Sequence, residues 1–177
     1  MINGQASDLL PSFQDLLGWL VQAGLLAEAQ AKQIERRGGS QAVETLRQAK
    51  VFRATMRDMV ARLADDGVPQ TALAAINHLL HHRVGYPQIS RRGETFEQKY
   101  EAGSENVNQV LGLLAEAASD LLCNCDLLLV KKCQNPACVL FFYDTTKNHA
   151  RHWCSMSLCG NRSKVAAHYR RQRGRKK

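Results

Sequence analysis

Apolar residues recur at helical spacing through most of the first 130 positions of the chain. Phe13, Leu16, Leu17, Leu20 and Val21 mark one face of a helix. Ser12 stands at its N-cap with Asp15 three residues on, a capping box, and Gly24 is its stop. A second, shorter helix is expected over Ala27 to Arg37, ended by Gly38-Gly39. Val43, Leu46, Ala49, Met56, Met59, Val60 and Leu63 form the inner stripe of a long third helix, with Arg47, Arg53, Arg57 and Arg62 elsewhere around it. Asp65-Asp66-Gly67 ends that helix, and Pro69 suits the first turn of a fourth bearing Leu73, Ile76, Leu79 and Leu80.

The period changes between Arg83 and Tyr100. Val84, Tyr86, Ile89, Phe96 and Tyr100 are aromatic or β-branched and are interrupted by Gly85, Pro87 and Arg92-Gly93, which predicts a small β-hairpin with Arg91-Arg92-Gly93-Glu94 near its tip. A long helix follows from Ser104 to about Cys123, with Val107, Val110, Leu111, Leu114, Ala118, Leu121 and Leu122 inward, and Asn124-Cys125-Asp126 breaks it. Leu127 to Val130 then leads to the basic pair Lys131-Lys132. The expected class is mainly α: a helical domain with a small β-hairpin over 1–130, followed by a compact C-terminal module over 131–177.

Charge separates the same two parts. The 177-residue chain carries +8 overall, but residues 131–177 hold twelve Lys or Arg against the single acid Asp144, while the preceding 130 residues carry −3. A weakly acidic body with a strongly basic end points to an anionic partner for that end alone. No apolar run approaches the roughly 18 residues that would suggest a membrane span. The start, Met1-Ile2-Asn3-Gly4-Gln5, lacks a basic segment followed by an apolar core, so the expected location is cytoplasmic.

Six cysteines are enough for a disulfide framework, but a reducing compartment and their spacing favour a metal. Cys133 and Cys138 form one C-x4-C pair, and Cys154 and Cys159 form another. Four thiolates satisfy zinc in a closed tetrahedron, which makes the expected site a single structural zinc without catalytic chemistry. His149 and His152 lie between the pairs and are alternative ligands. Val139 to Tyr143 reads as a strand, Asp144 to Asn148 as a turn, Ala150 to Trp153 as a returning strand, and Cys159 as the start of a basic helix. Knuckle, hairpin and helix in that order describe a treble-clef-like finger. Trp153, beside a ligand, is expected to pack over the site.

The run Cys133-x4-Cys138, Phe142-Tyr143-Asp144-Thr145-Thr146, Arg151-His152-Trp153-Cys154-Ser155-Met156 and Cys159-Gly160-Asn161-Arg162-Ser163-Lys164 resembles the CGNR zinc-finger family. The helical region before it is similar to the ABATE domain, which precedes this finger in bacterial proteins described as stress-induced transcription regulators. The likeness is looser at the start, where Ile2-Asn3-Gly4 stands in place of a hydrophobic segment leading into an Asn-Thr pair. The resemblance implies a DNA-binding regulator associated with the nucleoid. The residues that would meet nucleic acid are Arg162, Lys164, Arg170, Arg171, Arg173 and Arg175, with Lys176 and Lys177 beyond and Arg151 on the hairpin. Asn161 is open to a structural or a base-reading role. The body would dimerise, bind a small effector, or both.

Other chemistry is sparse. His78 and His82 have i,i+4 spacing but no evident third ligand and are expected as a surface or part-buried cluster. Cys123 and Cys125 are expected as buried, inert thiols. No nucleophile elbow, phosphate loop or dinucleotide fingerprint is present, so no enzymatic activity is expected. Two other readings stay open: an RNA- or ribosome-contacting finger, and a finger that caps a protein- or ligand-binding body.

Overall fold

The computed structural model describes residues 8–63, 65, 67–83, 85–102 and 106–174. It divides into two compact units, Asp8–Met59 with Val68–Cys125, and Val60–Gly67 with the chain from Asp126 on. The first is helical: α1 Phe13–Gln22, α2 Glu28–Arg37, α3 Gln41–Arg62 (whose last turn belongs to the second unit), α4 Gln70–Leu80 and α5 Gln109–Asn124, with the hairpin β1 Gly85–Arg92 and β2 Thr95–Ala102 between the last two helices. The second holds β3 Val130–Lys132, β4 Phe141–Tyr143 and α6 Asn161–Gly174.

The capping box at α1 is present. The Ser12 Oγ accepts from the Asp15 N–H at 3.2 Å, and the Ser12 N–H donates to the Asp15 carboxylate at 3.0 Å. Leu16, Leu17 and Leu20 from α1 meet Ile34 from α2, Ala49 and Phe52 from α3, Ile76 and Leu79 from α4, and Val110, Leu111 and Ala115 from α5 in one buried cluster. Each large member contributes about 1.5–3 kcal/mol of burial. The hairpin tip falls where the glycine signal puts it, with Gly93 (φ 63°) and Glu94 between the paired residues Arg92 and Thr95.

The inner face of α3 keeps its expected phase at Leu46, Ala49, Met56 and Met59 and departs from it at Val43. Val43 is 74% exposed, and the buried positions are Thr45, Ala49, Phe52 and Met59. Thr45 is buried because its Oγ1 donates to the Asn108 Oδ1 at 2.7 Å, so a polar residue takes a place that a hydrophobic count gives to Val43. The last long helix begins at Gln109 rather than Ser104, which lies outside the described residues.

Gly112 marks a close approach of α5 to the end of α4. A Cβ there would stand 2.8 Å from the Arg83 backbone nitrogen and 3.0 Å from the His82 carbonyl carbon. Gly112→Ala is therefore expected to destabilise the helical unit by about 1–3 kcal/mol, despite the better helix propensity of alanine. Thermal unfolding followed at 222 nm measures it, and an unchanged or higher midpoint would mean that the helices separate freely.

Candidate metal centre

The finger is built around two turns. β3 and β4 pair antiparallel, Val130 with Tyr143, Lys131 with Phe142 and Lys132 with Phe141, and the first cysteine pair occupies the turn that joins them. The Cys138 N–H donates to the Asn135 carbonyl at 2.8 Å, the Asn135 Oδ1 accepts from Ala137 N–H at 3.1 Å, and Cys133 N–H reaches the Leu140 carbonyl at 3.0 Å. These bonds fold Gln134-Asn135-Pro136-Ala137 into a knuckle with both sulfurs on one side.

The expected pairing of a 139–143 strand with a returning strand at 150–153 is corrected here. β4 covers only Phe141–Tyr143 and pairs backward with β3, while Ala150 to Trp153 forms no strand. Two bonds explain its course. The Arg151 N–H donates to the Asp144 carboxylate at 3.0 Å instead of to a neighbouring strand, and the His152 carbonyl accepts from Gln134 N–H at 2.9 Å, tying this segment to the knuckle.

The second pair closes on a single π turn, Met156–Gly160, directly ahead of α6. The Ser155 carbonyl accepts from both the Cys159 and Gly160 N–H at 3.0 Å, and its Oγ accepts from the Leu158 N–H at 3.3 Å. Gly160 is buried, and a Cβ on it would run into the Met156 sulfur and lie 3.1 Å from Trp153 Cδ1. Trp153 thus packs over the turn that holds Cys159, as expected. Asn161 is exposed and donates from Nδ2 to the Ser157 carbonyl at 3.2 Å.

The four Sγ atoms of Cys133, Cys138, Cys154 and Cys159 lie within 4.8 Å of one another. Cys154 Sγ is 3.7 Å from the sulfurs of both Cys138 and Cys159. A tetrahedron with zinc–sulfur distances of about 2.3 Å sets sulfurs roughly 3.8 Å apart, so the donor set fits the ion. The electrostatics agree. Burial and the neighbouring sulfurs push the Cys154 thiol up to about 12, and burial also raises Cys159. Burial opposes ionisation of Cys133 too, but the backbone N–H groups of Cys154 and Asn135 outweigh it and bring that thiol down to about 7. Four thiolates at this spacing need a dication. The four cysteines form one zinc site, and His149 and His152 are exposed and outside it.

Sequence reasoning missed the hub beneath the site. Asp144 is fully buried, and its carboxylate accepts from Lys131 Nζ at 2.7 Å, Thr146 N–H at 3.1 Å, Thr146 Oγ1 at 2.6 Å and Arg151 N–H at 3.0 Å. Burial alone would raise its pKa, but the hydrogen bonds led by Lys131 outweigh it and hold the carboxyl well below the usual carboxylate range. Lys131 Nζ also donates to the His149 carbonyl, fixing a residue at φ 48°. A lone acid among twelve bases, directly after a strand, was the available signal.

Of the expected cationic contacts, Arg162 and Lys164 are exposed at the start of α6. Arg170, Arg171 and Arg173 fall within the span of α6, and Arg175 lies outside the described residues. Arg151 is engaged internally. Its Nε donates to the Trp153 carbonyl at 2.8 Å, a terminal nitrogen donates to the Cys154 carbonyl, and its guanidinium carbon sits 4.9 Å from the Phe142 ring centre. It latches the second ligand turn onto β4.

Outside the finger, Cys123 is exposed and Cys125 half-buried, which corrects the expected burial of both. The inward stripe of α5 runs through Leu111, Ala115 and the part-buried Ala118 and Leu122, leaving Cys123 on the outer side. His78 and His82 stack edge-on with ring centres 6.3 Å apart, and burial followed by the charges of His78 and His81 lowers the pKa of His82. A cleft of about 330 Å³ between α3 and α4 is lined by Val51, Phe52, Ala75, His78 and Leu79, with Arg47 committed to Glu44. Among the described residues no helix is long and apolar enough to cross a membrane.

Two family models match the chain. The CGNR zinc finger matches residues 130–172, and ABATE, with the description "Putative stress-induced transcription regulator", matches residues 2–124. No curated protein matches it.

Proposed function

From the premise that the chain belongs to the ABATE family and carries a CGNR zinc finger, we propose that it is a cytoplasmic transcription regulator that binds DNA through the finger and its basic helix. One observation carries the reading. The only carboxylate side chain in residues 131–177 is Asp144, and it is fully buried against Lys131, so no acid side chain offsets the surface cations. The zinc site fixes the start of α6, and Arg162 and Lys164 project from that start. Phosphate contacts from such a surface supply sequence-independent, salt-sensitive affinity. The zinc is structural, since four thiolates leave no coordination position for water or substrate. The helical unit takes the input, with the apolar cleft between α3 and α4 available to a small effector.

The test is a salt titration of affinity, by fluorescence anisotropy, for duplex DNA and for single-stranded RNA. Neutralising Arg170, Arg171 and Arg173 together to Gln is expected to flatten the logarithmic salt slope by about 2.7, roughly 0.9 per lost phosphate contact. Tighter binding to single-stranded RNA would move the reading to an RNA-contacting finger. Absence of affinity for either polymer at low salt would leave the finger as a cap on the helical unit.

A further inference from the structure

The hairpin of the helical unit has one edge that matches a second copy of itself. Among the described residues β1 and β2 pair only with each other. A two-stranded hairpin is marginal in water unless further strands or a packed face support it. Here Ile89 is 70% and Phe96 71% exposed, with the Arg91 guanidinium 6.0 Å from the Phe96 ring centre on the same face.

The register decides which edge is open. The turn has two residues, so the flanking pair Arg92 and Thr95 is hydrogen-bonded, and bonded and non-bonded pairs alternate away from it. Pro87, paired with Tyr100, falls on a non-bonded position, where its missing N–H leaves the β1–β2 ladder intact but blunts the outer edge of β1. The same alternation turns the backbone N–H and C=O groups of Phe96, Gln98 and Tyr100 outward from β2. That edge contains neither proline nor glycine.

A second β2 laid antiparallel about a two-fold axis at Gln98 uses all of these groups. Gln98 meets Gln98 of the second copy, and Phe96 meets Tyr100 in both directions, each as a hydrogen-bonded pair. The non-bonded positions between them set Glu97 opposite Lys99 twice, at the closer backbone spacing. Moving the axis by one residue would instead set Glu97 against Glu97 or Lys99 against Lys99, so the charges exclude both neighbouring registers. Glu97 is already steadied in its own hairpin by Ser90 Oγ at 3.4 Å and Arg92 at 3.7 Å. We infer that the free edge of β2 is a dimerisation seam whose partner is a second copy of this chain, joined about Gln98 into a four-stranded antiparallel sheet. The contact is isologous, so it closes at two copies. It does not rest on the nucleic-acid reading.

Sedimentation equilibrium of the full-length, nuclease-treated, zinc-loaded protein tests it. The wild type should show a concentration-dependent monomer–dimer equilibrium. Gln98→Pro removes an outward N–H without touching the β1–β2 ladder and should give a folded monomer, with the helical circular dichroism retained and a melting midpoint that no longer rises with protein concentration. Lys99→Glu and Glu97→Lys should each weaken the dimer about tenfold or more, because each sets like charges opposite one another. An equimolar mixture of those two variants should recover association, since one chain then brings two cations and the other two anions to the seam. A wild type that stays monomeric into the hundreds of micromolar, a Gln98→Pro protein that still dimerises, or a mixture no tighter than its components would overturn the inference.

Discussion

Stripping zinc from the reduced protein is expected to melt the finger and leave the helical unit folded. The finger has almost no core of its own. Among the described residues its buried apolar members are the ligands Cys133 and Cys159, while Val139, Leu140, Met156 and Leu158 are each more than half exposed. Among the described residues the helical unit buries fourteen apolar side chains in one cluster, from Leu16 to Ala115. A structural zinc supplies about 10–16 kcal/mol at neutral pH, comparable to the whole stability of an ordinary small domain. Removing it therefore removes the fold of the finger. Trp153 lies in the finger and Trp19 in α1, so Trp19→Phe leaves a single reporter of the metal centre. The expected result is a shift of the Trp153 emission to that of an exposed indole on adding a chelator, reversed by one equivalent of zinc once the chelator is removed, with the main thermal transition retained. Cys159→Ser should behave as the stripped protein does at all but high zinc. Because the ligands bind as thiolates, zinc binding releases protons and its affinity falls as the pH drops. A Trp153 signal indifferent to chelator would show that the finger holds together without metal.

What was legible beforehand divides by the range of the interactions involved. α1 was readable because Ser12, Asp15 and Gly24 are local punctuation around a clean apolar stripe. The hairpin tip was readable because one glycine at one position specifies the turn. The ligands were readable because cysteine spacing is itself the chemistry. The burial of Thr45 in α3 was not, since it turns inward for the sake of Asn108, sixty-three residues later. Nor was the pairing of β4, which depends on Asp144 taking Arg151 and Lys131 as partners. Both failures involve a buried polar group satisfied by a distant residue, and hydrophobic periodicity carries no information about that. Arg151 shows the same limit at the site. Its charge suggested phosphate, but its surroundings make it a latch on the backbone of the second ligand turn.

Asp144→Asn is expected to damage the finger nearly as much as loss of a ligand. The carboxylate receives four donors, one ammonium, one hydroxyl and two backbone N–H groups. An amide of the same shape replaces one oxygen with a donor, which must then face either the Thr146 donors or the Lys131 and Arg151 donors. It also leaves Lys131, whose side chain is 30% exposed, cationic beside a neutral group. The strap from Asp144 to Arg151 and the hold of Lys131 on the His149 carbonyl fail together, and these place Cys154 relative to the knuckle. Loss of outer partners of a metal site costs about 10–100-fold in metal affinity, and a similar fall should appear in a competition titration against a chromophoric chelator. The pH profile identifies the cause. A depressed carboxylate pKa gives stabilisation that is fully present above the unfolded value of about 3.9 and is lost only as pH falls below it. The ratio of wild-type to Asp144→Asn affinity should therefore stay flat from about pH 6 to 8, while both affinities fall together through protonation of the cysteines. Pairing the change with Lys131→Met tests the account a second way. With the unpaired cation gone, the double variant should bind zinc more tightly than Asp144→Asn alone, and equal or weaker binding would mean that the ion pair is not what Asp144 supplies.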